Sequence, residues 1–263
     1  THKGGYDIIS MPYEYLGSFA ENGYIMPLDA ELSKDAAPVP RFNTDNLIPN
    51  LWEASAKWKD HVYGMPSNSA VMMMFYRKDL MENEEEKTAF QEKYGYPLAP
   101  ATTWQQYHDI AEFFTRKAGD TLAGETLSQD FYGVSLAGKR HIATVLEWFN
   151  YAWTFGGGLF DSSGQLQVNN DANIKSLEYW VGLTDFAPPG YTSATWDEVT
   201  AALQQGTAAE AITWADTAGS MEDPNASKVK GKMGYASIPT LNEGDKKVAH
   251  LGSWLYAINV DTT

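Results

Sequence analysis

Short apolar runs rich in β-branched and aromatic residues alternate along this chain with segments of helical spacing, which is the pattern of an α/β fold. Tyr6-Asp7-Ile8-Ile9-Ser10-Met11 is the first such run, and Pro12, with no N–H to give to a ladder, ends it as a buried strand. Leu16, Phe19 and Ala20 fall on one face of a helix over 15–22, and Gly23 stops it. Pro38, Pro40 and Pro49 mark a connecting region, after which 51–58 reads as a short helix. Lys57-Trp58-Lys59 and the run 62–66 form a hairpin-like pair around Asp60-His61, and the apolar run Val71 to Tyr76 predicts a strand buried on both faces.

The charged run Glu84-Glu85-Glu86-Lys87 predicts a solvated helix face. Thr103, with Gln106 three positions on, is a capping-box start for a helix to about Arg116. A strand over 131–136, a long aromatic-rich helix over 141–154 and two polar-capped helices over 173–183 and 195–205 follow. Strands are expected at 209–214, at 233–238 where Pro239 closes the run, and at 253–260.

Composition narrows the chemistry. At 263 residues the chain allows one large domain or two ordinary ones. Against 34 Asp+Glu stand only 19 Lys+Arg, a net charge of −15 that disfavours nucleic acid and anionic membranes as partners. Cysteine is absent, so neither disulfides nor thiolate metal ligation are available, and the compartment stays open on that evidence. No apolar run approaches 18 residues, and no apolar signal segment follows Thr1-His2-Lys3. Aromatic residues make up 13%, with 9 Trp and 15 Tyr, in an otherwise polar chain. Such rings can lie on the C–H face of a sugar while carboxylates and amides take its hydroxyls, although most rings in any protein serve the core.

Motifs for catalysis are missing: there is no G-x-S-x-G, no P-loop, no G-x-G-x-x-G and no HExxH. Asp161-Ser162-Ser163-Gly164-Gln165 resembles the start of a calcium loop, but its glycine is misplaced and Ala172 stands where a bidentate Glu is needed, so it reads as an ordinary turn. No cofactor and no metal site is expected. Asn225-Ala226-Ser227 fits a glycosylation pattern that is common by chance. Glycosidase carboxylates carry no portable motif, and Glu14 and Asp216 are the pair such an enzyme would use.

The order of several segments resembles the extracellular solute-binding proteins of sugar ABC importers, the group that includes maltose-binding protein. The carriers are Tyr6-Asp7-Ile8-Ile9 with the stretch 19–28, Tyr63-Gly64-Met65-Pro66 with Phe75-Tyr76-Arg77-Lys78-Asp79-Leu80, Thr103-Trp104, Gly157-Gly158-Leu159-Phe160-Asp161, the step Gly206-Thr207-Ala208-Ala209 into a strand ending at Trp214, and Gly252-Ser253-Trp254-Leu255-Tyr256-Ala257-Ile258. The resemblance implies an α/β, two-lobed, periplasmic-binding-protein-like (type II) fold with hinge-crossing strands. Family members begin with a further strand–helix–strand–helix portion and end with several more helices, so the first lobe is expected to be incomplete: 1–68 with 249–263, against a second lobe at 69–248. The hinge should lie near Pro66 to Ala70 and near Lys247 to Leu251.

What the resemblance implies for function is binding of a carbohydrate or sugar alcohol in an inter-lobe cleft, and delivery to the membrane permease subunits of an ABC importer. No chemical conversion is implied, the protein being a periplasmic or extracellular monomer, with or without a lipid anchor. Carried over by position, the ligand-binding candidates are Tyr13, Glu14 and Tyr15 after the first strand, with Glu14 and Tyr15 aligning with sugar contacts of maltose-type members. Ser67 and Asn68, beside Ser69, suit either hydroxyl contacts or hinge bonding. Arg140 and His141 stand before the aromatic helix as donors to a ligand or as caps. On that helix Trp148 and Trp153 are five apart and share no face, so one is expected in the core and Trp153 is the candidate. Trp214 and Asp216 stand where the family places sugar-stacking residues, and Trp254 is either a stacking ring or inter-lobe packing.

Overall fold

The computed structural model describes residues 5–33, 43–68 and 70–262. Pro38, Pro40 and Ser69 lie outside them. Two compact units divide the chain, one of Thr1–Val71 with Leu251–Thr263 and one of Met72–His250.

In the first unit three antiparallel strands form a sheet in which Trp254–Ile258 is central, flanked by Ile8–Pro12 and Met65–Pro66. The central strand alternates strictly: Leu255 and Ala257 are fully buried while Trp254 and Tyr256 face out, as a sheet covered on one side requires. Met11, Leu16 and Ile25 join the buried pair beneath it. Ile8 and Ser10 are exposed, however, so the first strand is not the buried one expected: as a flanking strand of a sheet covered on one side it buries Met11 alone. Gly23, at φ 65°, ends the helix Leu16–Glu21 in the left-handed conformation. The helix expected over 51–58 occupies Pro49–Ser55 instead. Proline at its first turn sets the start, and Lys57–Trp58 leaves to pair with His61–Val62, which stops it early. Trp58 then lies against Gly17, where an added Cβ would meet the ring at 2.7 Å, and its Nε1 donates to Glu21 at 2.6 Å.

In the second unit the strand order is Met233–Ala236, Ala70–Arg77, Ala208–Trp214, Tyr132–Ser135, antiparallel except for the last pair. Ala70 and Val71, which belong to the first unit, pair with Leu251–Gly252. Met72 and Met74 face one core, with Trp104, Tyr107, Tyr151 and Ile212, and Phe75 faces the other, with Val199, Leu203 and Met221. Burial on both faces therefore holds from Met72 onward, but Val71 is exposed, contrary to the reading of the whole run as buried. Helix Trp104–Phe114 approaches Tyr132–Ser135 so closely that a Cβ on Gly133 would lie 1.7 Å from the Ala111 carbonyl oxygen.

The run 84–87 is not wholly solvated. Glu86 is buried and accepts from the Ala123 amide at 2.8 Å, tying helix Glu84–Tyr94 to a small hairpin, Thr121–Leu122 with Glu125–Thr126. Among the described residues no helix is long and apolar enough to cross a membrane.

Candidate functional site

The candidates of the first unit gather at one end of its sheet. Pro12 pairs with Trp254, so the 3-10 turn Tyr13–Tyr15 leaves the sheet beside the start of the central strand, and the Tyr13 amide donates to the Ser253 carbonyl at 3.0 Å. Pro66 pairs with Leu255, so Ser67 and Asn68 leave at the same end. Ser67 donates both its amide and its hydroxyl to the Trp254 carbonyl, at 2.8 and 3.0 Å. Asn68 Oδ1 accepts from the Trp254 amide at 2.8 Å, and the Asn68 carbonyl accepts from Ser253 Oγ at 3.0 Å. Of the two roles left open for Ser67 and Asn68, these bonds supply the structural one: both residues hold the return strand in register. Trp254 and Tyr15 remain about half exposed, at 47% and 56%. Partial loss of hydration raises the Glu14 carboxyl above its ordinary value and, with Glu14 nearby, raises the Tyr13 phenol.

In the second unit the strand Ala208–Trp214 ends at a 3-10 turn, Ala215–Thr217, that leaves Asp216 exposed and Trp214 half-buried. Phe149 and Trp153, four apart on helix Ile142–Thr154, place their rings in parallel planes 4.9 Å apart at 1°. His250 lies parallel to both, 6.2 Å from Phe149 and 5.8 Å from Trp153, and meets Trp214 edge-on at 5.5 Å and 79°. Trp153 and Trp214, distant in sequence, are thus joined through a histidine. Its backbone is fixed on both sides: the His250 amide donates to Asn150 Oδ1 at 2.8 Å, and its carbonyl accepts from the Met72 amide at 2.9 Å. Burial pushes the imidazole down to about 4, so it is neutral at physiological pH.

The remaining candidates stand apart. Arg140 and His141 are exposed. His141 Nδ1 accepts from the Ala143 amide at 3.2 Å, so it caps the aromatic helix as an acceptor, and its ring packs on Trp196 at 5.2 Å. No ring contact or hydrogen bond joins either residue to Trp153 or Trp214 among the described residues. The expectation that Trp148 or Trp153 belongs to the core is not met, because both are half-buried, Trp148 donating to Ser176 Oγ at 3.1 Å. A cavity of about 550 Å³ elsewhere in this unit, between Tyr132, Tyr191, Glu198 and Gln205, contains none of the candidates.

Sequence reasoning missed His250, Asn150 and Phe149. The i, i+4 spacing of Phe149 and Trp153 was the available signal for one of them. It also missed two carboxyls inside this unit. Glu147, 1% exposed, accepts from the Ala137 amide at 2.9 Å and from Trp180 Nε1 at 3.1 Å, and burial raises it to about 8. Glu210 is fully buried with neither oxygen bonded, and desolvation holds it protonated far above the usual carboxylate range. Among the described residues, His108, Asp109 and Glu112 bring ligand-type atoms close enough together for a metal. Asp109 already accepts from Tyr96 and Gln105, and Glu112 from Lys93 and Tyr94, so these carboxylates have protein partners without a metal.

Comparison with known proteins bears on all of this. The family model described as bacterial extracellular solute-binding protein matches residues 1–263. A probable ABC transporter-binding protein of Deinococcus radiodurans is 31% identical over 200 residues, covering 74% of this chain and 42% of its own. The mannitol-binding protein of Pseudomonas aeruginosa is 27% identical over 266 residues, 98% of this chain and 53% of its own. Among solved structures, an ABC transporter solute-binding protein from Agrobacterium radiobacter in complex with ribitol superposes with a TM-score of 0.82 at 27% identity, over 100% of this chain and 59% of that one. The chain therefore spans about half the length of the curated relatives it matches.

Proposed function

Because the chain belongs to the bacterial extracellular solute-binding proteins and has their type II periplasmic-binding α/β fold, we propose that it binds a sugar or sugar alcohol and delivers it to an ABC importer permease without altering it. It works in this reading as a monomer, outside the cytoplasm. The observation that carries the proposal is the ring cluster of the second unit, in which Trp153 and Trp214 stand around His250 and the exposed Asp216 follows two residues after Trp214. Half-exposed aromatic faces cover the C–H side of a polyol, and a carboxylate at their rim accepts its hydroxyls. Tyr15, Glu14 and Trp254, at the sheet end of the first unit, are the contacts proposed there. Relatives named for mannitol and crystallised with ribitol support a ligand of this class.

Hydrolysis has less behind it. General acid chemistry needs a carboxyl of raised pKa in reach of substrate. Glu14 is a raised carboxyl at a proposed contact, but hydrolysis needs a second carboxyl flanking the same bond, and the two raised most strongly in the second unit, Glu147 and Glu210, are sealed in the core. Titration calorimetry with mannitol, ribitol and a panel of mono- and disaccharides tests the proposal, with chromatography of the mixtures afterwards. Saturable binding of one panel member without products is expected, and Trp153→Ala and Trp214→Ala should each weaken it about 10-fold or more. Turnover of any sugar, or no binding across the panel, would refute it.

A further inference from the structure

Resting on that reading, we propose that His250 is the polar anchor of the ring cluster, its Nε2–H donating to a hydroxyl or ring oxygen of a neutral ligand held among Phe149, Trp153 and Trp214. Four observations lead there. The side chain is nearly sealed, with 4% of the residue exposed, yet Nδ1 has no hydrogen-bond partner. Backbone bonds to Asn150 and Met72 fix where the ring sits. Three aromatic rings bound it, two parallel and one edge-on. No described residue accepts from Nε2.

A neutral imidazole carries one N–H and one lone pair, and the bonding of the two nitrogens decides which is which. Nδ1 is closed off from both protein and solvent. A buried N–H without an acceptor is costlier than a bare lone pair, because the donor forfeits a full hydrogen bond to water. The hydrogen therefore resides on Nε2, which leaves a single preorganised donor among aromatic faces and in want of an oxygen. Burial keeps the ring uncharged above about pH 4, so the donor brings no charge to attract a carboxylate or phosphate. The arrangement selects a neutral polyhydroxy ligand over its acidic or phosphorylated counterpart.

Amide side chains separate an anchor from mere packing, since the glutamine amide nitrogen mimics imidazole Nε2 in reach while phenylalanine keeps the ring and loses both nitrogens. In the full chain, affinity for the panel sugar or polyol bound tightest by wild type is measured for His250→Phe and His250→Gln. The expected result is a loss of about 10-fold or more in His250→Phe, with His250→Gln recovering to within about 5-fold of wild type. Wild-type affinity in His250→Phe, or a loss in His250→Gln as deep as that in His250→Phe, would overturn the anchor while leaving the transport reading intact. Failure of wild type to bind anything in the panel overturns the transport reading itself. Should His250→Phe not fold, nitrogen NMR of the wild-type imidazole decides: a protonated Nε2 whose resonance moves on adding the ligand supports the anchor, and a protonated Nδ1 or an unmoved Nε2 overturns it.

Discussion

Replacing Glu147 by glutamine should change how the protein's stability depends on pH. The carboxyl is raised by burial to about 8 in the folded protein, against an ordinary value near 4.5. Between those limits the folded state holds a proton that the unfolded state releases, so stability is greatest below about pH 4.5 and falls as pH rises toward 8. A full unit of pH inside that window is worth about 1.4 kcal/mol, less near its ends, so from pH 5 to pH 8 the wild type should lose about 3.5 kcal/mol through this group alone. Glutamine cannot titrate, but its amide nitrogen cannot accept, so one of the two bonds from Ala137 and Trp180 is lost, at about 1 kcal/mol. The variant should thus be less stable than wild type at pH 5 and more stable at pH 8. His250 titrates with the opposite sign, its stabilisation being lost as pH falls from about 6.5 through 4, and Glu210 titrates in the same sense as Glu147. Both are common to the two proteins and cancel in the difference. Urea unfolding followed by tryptophan fluorescence at pH 5, 6, 7 and 8 measures that difference. A wild-type-minus-variant gap that stays constant across the range would mean that Glu147 ionises freely in the folded state.

Gly133→Ala places a methyl 1.7 Å from the Ala111 carbonyl oxygen, a backbone atom that no side-chain rotation relieves. The variant should lose about 3 kcal/mol or more, or accumulate as insoluble protein, and a melting temperature within 2 °C of wild type would contradict the packing described. Thr103→Ala removes the hydroxyl that accepts from the Gln106 amide at 3.3 Å, half of a capping box. A loss of about 1 kcal/mol is expected by urea titration, and none at all would mean that the helix start is held otherwise.

Much of the fold was legible because local chemistry and tertiary structure agree. Thr103 and Gln106 announce a helix that the structure keeps, and Pro12 ends the strand at the residue expected. Helix Pro49–Ser55 was misjudged because its end is set by a hairpin that claims Lys57 and Trp58, a contact absent from helical periodicity. Glu86 was misread for a similar reason: in a run of acidic residues nothing distinguishes the one that meets the Ala123 amide. At the candidate site, residues that follow strand ends could be named from the prolines and aromatic strands preceding them. Residues defined by burial could not. His250 follows Lys246-Lys247-Val248-Ala249 with no motif around it, and Asn150 is a lone amide among aromatic neighbours on its helix. Their placement comes from a bond of the His250 amide to Asn150 Oδ1, between residues 100 apart in sequence.

The charge on the proposed ligand can be settled by salt. A surface of net charge −15 attracts cations at long range, and Trp153, Trp214 and Asp216 together would also suit an ammonium group. The buried groups of the second unit argue the other way. Glu147 and His250 are neutral at pH 7 and burial raises Glu210 well above the usual carboxylate range, so the buried groups of this unit offer a cation no countercharge. Desolvating an ammonium against faces and a single screened carboxylate costs more than desolvating a hydroxyl that an imidazole N–H can receive. Attraction by the surface charge shrinks with the Debye length, from roughly 14 Å at 0.05 M to roughly 4 Å at 0.5 M salt. Affinity for a polyol should therefore stay within about 2-fold over that range, whereas a polyamine's should fall steeply. Tight, salt-sensitive binding of spermidine with none of mannitol or ribitol would show that the rings and Asp216 serve a cation.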